Sequence, residues 1–408
     1  MFRVVLLSLY VAVGFAAKNY EGYKVLRMKS LSEGQVEALR LLLDEQELDF
    51  WNFPRDLMVP PSQLASVKEY LDAKNIDFHV WIEDVQLKID SRFSGKPRTD
   101  EFDYSVYHTL DEIYEWIDSM LADYPNLASI VNIGKSYEGR DLTVLKMGVD
   151  TGKTKRNAWF NSLIHSREWV SGAACMYMAN RLMSEYSTEP DIQHLLETYD
   201  VYYMPVVNPD GYLHTWDPDG DPMWRKTRSP NEGSSCLGTD GNRNYEYMWG
   251  GQGASPIPCF ETYRGPGPFS EVETVAMADF FRSRPDDVFD IYLDYHAFGQ
   301  MILSPWGYTA DYPLDYATMD EAMKVMTDAI FDVHGMNYTY GASGPTLYPT
   351  SGDTIDWFYG DQNIIHSYTF EIRDEGEYGF FLPEDQIIPT GEENYAGFVA
   401  LCLHIATP

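Results

Sequence analysis

Ala158-Trp159-Phe160-Asn161-Ser162-Leu163-Ile164-His165-Ser166-Arg167-Glu168 is the stretch that decides the fold of this chain. An apolar run suited to a buried strand ends on a histidine, and a glutamate follows three residues later. A helical stretch comes next, with small residues Gly172, Ala173 and Ala174 where it would pack closely. A second run, Ile291-Tyr292-Leu293-Asp294-Tyr295-His296, ends the same way. In open α/β sheets, ligands gather at the carboxyl ends of strands. Two such ends can bring His165, Glu168 and His296 to one zinc ion and leave a fourth position for water, the pattern of a catalytic site. A third run, Ile364 to Phe370, delivers the carboxylate of Glu371, which can take a proton from that water. Together these strand ends point to a hydrolase.

His-x-x-Glu is a short motif, and the chain holds a second copy at His194-Leu195-Leu196-Glu197. That copy lies inside an amphipathic helical segment, Asp191 to Tyr199, with no strand before it. Context separates the two, and His194 is expected to be an ordinary helix side chain.

Working outward, Tyr107 to the C-terminus alternates helical and strand-like stretches. Helices are expected at Thr109 to Tyr124 and from Ser270 to Arg284, with strands around Ile130 to Ser136, Thr143 to Gly148 and Val201 to Val207. The fold class is α/β: a mixed, mostly parallel twisted sheet with helices on both faces. Residues 20 to 90 carry a separate βαββαβ order, the ferredoxin-like plan, with helices at Ser32 to Glu45 and Pro60 to Ala73 and a last strand from Phe78 to Ile89. A polar linker, Asp90 to Thr99, follows. It carries Arg92, Lys96-Pro97 and Arg98, and a trypsin-like protease would cut after Arg92 or Arg98. Residues 1–17 read as a secretory signal: Arg3, then the apolar Val4 to Val13, then Gly14-Phe15-Ala16. The expected organisation is a signal peptide (1–17), a removable α+β propeptide (18–98) and a catalytic domain (99–408).

The length of 408 residues and 44% hydrophobic content suit a domain of ordinary size and a smaller one. A net charge of −33 repels nucleic acid and anionic membrane, and neither is expected as a partner. A secreted, extracellular protein is expected. Of the four cysteines, Cys236 and Cys259 lie in Gly/Ser/Pro-rich loop sequence and are expected to pair, while Cys175 and Cys402 read as buried thiols. Arginines and amides crowd Trp224-Arg225-Lys226-Thr227-Arg228-Ser229 and Asp240-Gly241-Asn242-Arg243-Asn244, groups able to steady an oxyanion or grip a carboxylate.

From Tyr107 onward the chain resembles the zinc carboxypeptidases of the pancreatic A/B type. The resemblance rests on Tyr107-His108-Thr109-Leu110, Ser136-Tyr137-Glu138-Gly139-Arg140, Ile164 to Trp169, Trp224 to Ser229, Asn242-Arg243-Asn244 and Phe370-Glu371-Ile372-Arg373-Asp374. Residues 20 to 98 are similar to the family's propeptide in size and pattern. The resemblance implies His165, Glu168 and His296 as ligands of one Zn²⁺, Glu371 as general base and Arg228 as the oxyanion arginine. It implies Asn242, Arg243 and Tyr348 as the grip on a substrate's C-terminal carboxylate. It also implies Arg167, Arg225 and Phe298 as further substrate contacts, the Cys236–Cys259 disulfide, and cis peptides at Ala297-Phe298, Pro305-Trp306 and Arg373-Asp374. Its specificity pocket would have Ile355 as floor, with Leu303, Gly307, Ser343, Leu347 and Thr369 around it.

An aliphatic floor offers no partner to a buried cation, so aromatic and aliphatic C-terminal residues are the expected preference. Asp353 is expected to face solvent; pointing inward, it would give a B-type preference for Lys or Arg. A non-catalytic peptide-binding relative is the other alternative. The expected partners are peptide and protein C-termini, a trypsin-like activating protease and proteinaceous carboxypeptidase inhibitors.

Overall fold

A computed structural model describes residues 18–92 and 102–406. The expected signal segment and Arg98 lie outside the described residues. The N-terminal unit runs β1 (Lys24–Met28), α1 (Glu33–Glu45), β2 (Asp49–Asn52), β3 (Asp56–Val59), α2 (Leu64–Ala73) and β4 (Phe78–Ile82). Its antiparallel sheet has the order β2-β3-β1-β4 and shares a core of Leu26, Leu39, Leu42, Leu57, Val67 and Leu71 with the two helices. The strand expected to reach Ile89 stops at Ile82. Asp84 accepts a hydrogen bond from the Leu87 amide (3.3 Å) and caps a short helix, α3 (Val85–Asp90). A cap of that kind satisfies a backbone donor that strand alternation leaves free.

The second unit opens with α4 (Leu110–Asp123), started by a capping box between Thr109 and Glu112. It continues through β5 (Ala128–Lys135), β6 (Asp141–Met147), β7 (Arg156–Ser162), α5 (Trp169–Ser184), α6 (Pro190–Thr198), β8 (Tyr199–Met204) and α7 (Pro209–Trp216). After a long loop come α8 (Val272–Arg282), β9 (Phe289–Ala297), β10 (Met301–Ser304), α9 (Tyr316–His334) and β11 (Thr339–Ala342). The chain ends with α10 (Ser343–Thr346), α11 (Thr354–Gly360), β12 (His366–Ile372) and α12 (Ile387–Ala406). The eight strands form one sheet in the order β11-β10-β12-β9-β7-β8-β6-β5. Its centre, β12-β9-β7-β8, is parallel; β10 against β12 and the β8-β6-β5 side are antiparallel.

Side chains on successive residues of a strand point to opposite faces. Phe160 and Leu293 therefore join α5, α9 and α12 in one core, while their neighbours Trp159 and Tyr292 join α8 and α11 in the other. Both cores are needed because a parallel centre must be covered on both faces. The central register then places the chemistry: Glu371 stands directly opposite His296, and Ser162 opposite Tyr295, so three strand ends open at one edge.

The Cys236–Cys259 disulfide forms across a Cα–Cα distance of 5.1 Å, and Cys175 and Cys402 are buried thiols. The three non-proline cis peptides fall where the resemblance implied them. Among the described residues, no helix is long and apolar enough to cross a membrane.

Candidate metal centre and active-site cleft

His165 leaves the end of β7 in the tight turn that precedes α5, and Glu168 occupies the N-cap position of that helix. His296 comes from β9. All three are buried, and their ligand atoms lie within 4.8 Å of one another. His165 Nδ1 is 2.8 Å from Glu168 Oε1 and 3.0 Å from His296 Nδ1, which is 3.1 Å from Glu168 Oε2. The opposite ring nitrogens are both engaged by carboxylates: His165 Nε2 with Asp240 (3.0 Å) and His296 Nε2 with Asp294 (3.0 Å). An ionised carboxylate only accepts, so each Nε2 carries the proton. Nδ1 is then the nitrogen each ring has left to offer, and the two Nδ1 atoms face each other and Glu168. Two ring nitrogens and a carboxylate converging at this separation call for a proton or a metal cation between them, and a buried pair of histidines and a glutamate, with a carboxylate behind each ring, is the set that suits a zinc ion.

Arg225 and Asp240 complete the charge pattern. Arg225 Nη2 donates to Asp240 at 2.9 Å and Nη1 lies 3.7 Å from Glu168. Burial alone would raise the Asp240 carboxyl, but Arg225, His165 and Arg243 outweigh it and hold that acid well below its usual range. For Glu371, burial dominates and Glu168 adds to it. Together they push its carboxyl up to about 8 against the pull of His296 and Arg225. A buried carboxyl perturbed this far beside a metal triad marks a functional group, and a cation bound at the triad would favour the ionised form that a general base needs.

A cavity of about 330 Å³ joins these groups to Arg167, Asn242, Arg243, Phe298, Leu303, Ser343, Leu347, Tyr348 and Thr369. Asn242 Oδ1 accepts from the Thr354 amide (2.8 Å), and Arg243 is braced by the carbonyl oxygens of Gly253 (2.9 Å) and Asn242 (2.6 Å). His194 is exposed on α6, away from this cavity.

Three expectations are corrected. Arg228 does not line the cavity: its guanidinium lies over the Trp224 ring at 4.5 Å and 3.9 Å from Glu138, while Arg225 of the same stretch faces the metal triad. Ile355 lies within α11 and is buried in the core beside Tyr245, Trp357 and Phe358, not in the cavity wall; Gly307 also lies behind that wall. Asp353 is not a surface acid. It is 3% exposed and lines the cavity, because as N-cap of α11 its carboxylate turns inward to take the Asp356 amide (3.0 Å) and the Thr350 hydroxyl (2.6 Å). Strand periodicity cannot reveal a helix cap; the signal was Asp353-Thr354-Ile355-Asp356, an acid at the start of a short helix. Glu261, a cavity-lining residue that the sequence reading passed over, sits within the electrostatic reach of Arg167 and Lys226.

With this geometry in place, comparison with known proteins is decisive. A family profile described as zinc carboxypeptidase matches residues 113–397, and one described as carboxypeptidase activation peptide matches residues 26–92. The chain belongs to the zinc carboxypeptidase family. It is 40% identical to carboxypeptidase A1 of Mus musculus, over 99% of each chain. The fold matches the carboxypeptidase A of Helicoverpa armigera with a TM-score of 0.86, at 26% identity over 95% of this chain and 99% of that one. It also matches bovine thrombin-activatable fibrinolysis inhibitor in complex with a tick carboxypeptidase inhibitor, with a TM-score of 0.69 and 38% identity over 74% and 98%.

As a zymogen, this carboxypeptidase carries its activation peptide in the cleft. Asp49, Phe50, Trp51, Asn52 and Phe53 line the cavity, with Phe53 5.3 Å from the Tyr348 ring and Trp51 5.2 Å from Phe380. Asp49 grips the buried Arg167 with both oxygens, at 2.5 and 2.9 Å. Arg27 and Arg55 donate to the carbonyl oxygens of Gly376 (2.6 Å) and Glu375 (2.8 Å) on the loop after β12. Asp49→Ala is expected to loosen this plug by about 2 kcal/mol, less than a fully orphaned arginine would because Glu261 stands nearby. The check is chelator-sensitive activity of the uncut precursor, expected to rise roughly thirtyfold; an unchanged background would show that the Asp49–Arg167 pair does not close the cleft.

Proposed function

We propose that this carboxypeptidase, freed of its activation peptide, hydrolyses the last peptide bond of chains that end in a free carboxylate. The observation that carries this reading is that Asn242, Arg243 and Tyr348 share one cavity with the metal triad and Glu371. A guanidinium and an amide held by backbone contacts form a preorganised clamp for a carboxylate, and clamping the chain end sets the scissile carbonyl at a fixed distance inward. A bound zinc ion would act as Lewis acid and lower the proton affinity of water. Glu371 takes the proton from the attacking water and returns it to the departing amine. Arg225, fixed by Asp240, donates to the oxyanion as it forms. Arg167 and Phe298, which line the same cavity, would meet residues upstream of the scissile bond.

Leu303 and Leu347 give the side-chain recess aliphatic walls, which favour aromatic and aliphatic C-terminal residues by burying them. The protein is read as secreted by way of residues 1–17, with an activation peptide at 18–98 and the catalytic unit at 99–408. Activation is assigned to a trypsin-like protease acting at Arg98. Arg92 is a poor first cut, since it is 5% exposed and its guanidinium lies 4.1 Å from the centre of the Trp169 ring. The inhibitor complex of the bovine relative supports a proteinaceous inhibitor as a further partner of the mature cleft.

The test is release from matched peptides ending in Phe or Leu, as free acids and as amides, after linker cleavage. Chelator-sensitive release from the acids is expected, about tenfold to a hundredfold slower from the amides, the worth of the lost charged hydrogen bonds. Equal rates for acid and amide would overturn the exopeptidase reading.

A further inference from the structure

One group in the side-chain recess is out of keeping with its aliphatic walls. Asp353 lines the recess beside Leu303, Ser343, Leu347 and Thr369. A Cβ built on Gly307 would stand 2.0 Å from Asp353 Oδ2, so the carboxylate occupies space that only glycine at position 307 leaves open. Its two hydrogen bonds, from Asp356 N and Thr350 Oγ1, fill half of the roughly four acceptor positions of a carboxylate. Among the described residues no cation lies within ion-pair distance of it; Arg243 acts on it only from farther away.

Capping α11 does not by itself call for an acid, because Asn, Ser or Thr serves as well at an N-cap. A buried carboxylate without a counter-ion is costly, and one beside a substrate recess is relieved when the substrate brings the cation. The net charge of −33 also concentrates cationic peptides around the molecule.

We propose that Asp353 is a specificity-determining residue that receives the cationic end of a C-terminal Lys or Arg, so that the enzyme releases basic as well as apolar residues. This rests on the carboxypeptidase reading above. The surroundings of Asp353 set its response to pH. Burial, with Asp294 adding, pushes its carboxyl up to about 6, against the Thr350 and Asp356 hydrogen bonds and the pull of Arg243. Asp356 is held by the Gly307 and Tyr308 amides (2.8 and 2.9 Å), and Asp294 by Thr354 Oγ1 (2.8 Å) and His296. Ionised Asp353 favours Lys; protonated, it leaves a recess suited to Phe.

The experiment places zinc-loaded, linker-cleaved enzyme with two peptides, identical except for a terminal Lys or Phe, in direct competition at pH 5 and pH 8. The ratio of the two kcat/KM values is independent of the fraction of folded enzyme, and Glu371 acts on both substrates alike. For the parent enzyme both residues should be released, with the Lys/Phe ratio climbing as the pH rises. Asp353→Asn keeps the cap and should lower that ratio at least tenfold at pH 8 and flatten its pH dependence. Release of Phe without Lys, or an unchanged ratio in Asp353→Asn, overturns the assignment while leaving the carboxypeptidase reading intact. Release of neither residue overturns both.

Discussion

Replacing Glu371 with Gln is expected to lower kcat/KM for C-terminal release by roughly a thousandfold to ten-thousandfold, the upper part of the range for a lost general base. Gln fills the same volume at the end of β12 and keeps the register opposite His296. It removes only the ability to take a proton. The substitution leaves the three ligand side chains in place, so the variant should still bind one zinc ion per chain. The two measurements are kcat/KM on a peptide ending in Phe and the zinc content after dialysis. A variant that keeps its zinc and loses less than about tenfold in rate excludes Glu371 as the base.

The second large effect separates two arginines that sit three positions apart. Arg225→Ala should cost roughly a hundredfold to a thousandfold in kcat, as expected for removing a donor aimed at a developing oxyanion. Arg228→Ala should stay within about threefold, since its contacts are a half-exposed ion pair and a ring face. The contrast is best read in kcat at saturating substrate, where lost ground-state binding does not intrude. Equal losses in the two variants would return the oxyanion role to Arg228.

How much of this was legible in the sequence follows from which physical signals are local. The metal triad and Glu371 could be found because His165, His296 and Glu371 each close an apolar run, with Glu168 three residues after the first, and strand ends at the centre of a parallel sheet are forced together. Asn242, Arg243 and Tyr348 came through the family resemblance, and the structure places them in the same cavity. The choice between Arg225 and Arg228 was not legible, since direction within an irregular loop is set by distant carboxylates, here Asp240 and Glu168 against Glu138. The pocket floor failed for a related reason. Ile355 and Asp353 are two residues apart, and a helical turn starting at Thr354 sends one into the core and the other into the recess. In the activation peptide, both helices and the first three strands followed from periodicity, while the Asp84 cap replaced the end of the last strand.

The side chain of Arg92 is enclosed by Trp169, Phe381 and the Pro222 carbonyl. With the Asp49 clamp and the Arg27 and Arg55 contacts, it belongs to a set of interactions that a cut between residues 92 and 102 leaves untouched. Severing the chain there therefore removes a tether and leaves the inhibitor seated. What changes is molecularity: closure stops being intramolecular and becomes a bimolecular equilibrium, governed by dilution. The cut product would be a two-chain complex, and the onset of activity would be timed by how fast the freed peptide dissociates or is digested. At high protein concentration the same cleavage would thus release less activity per molecule than after dilution.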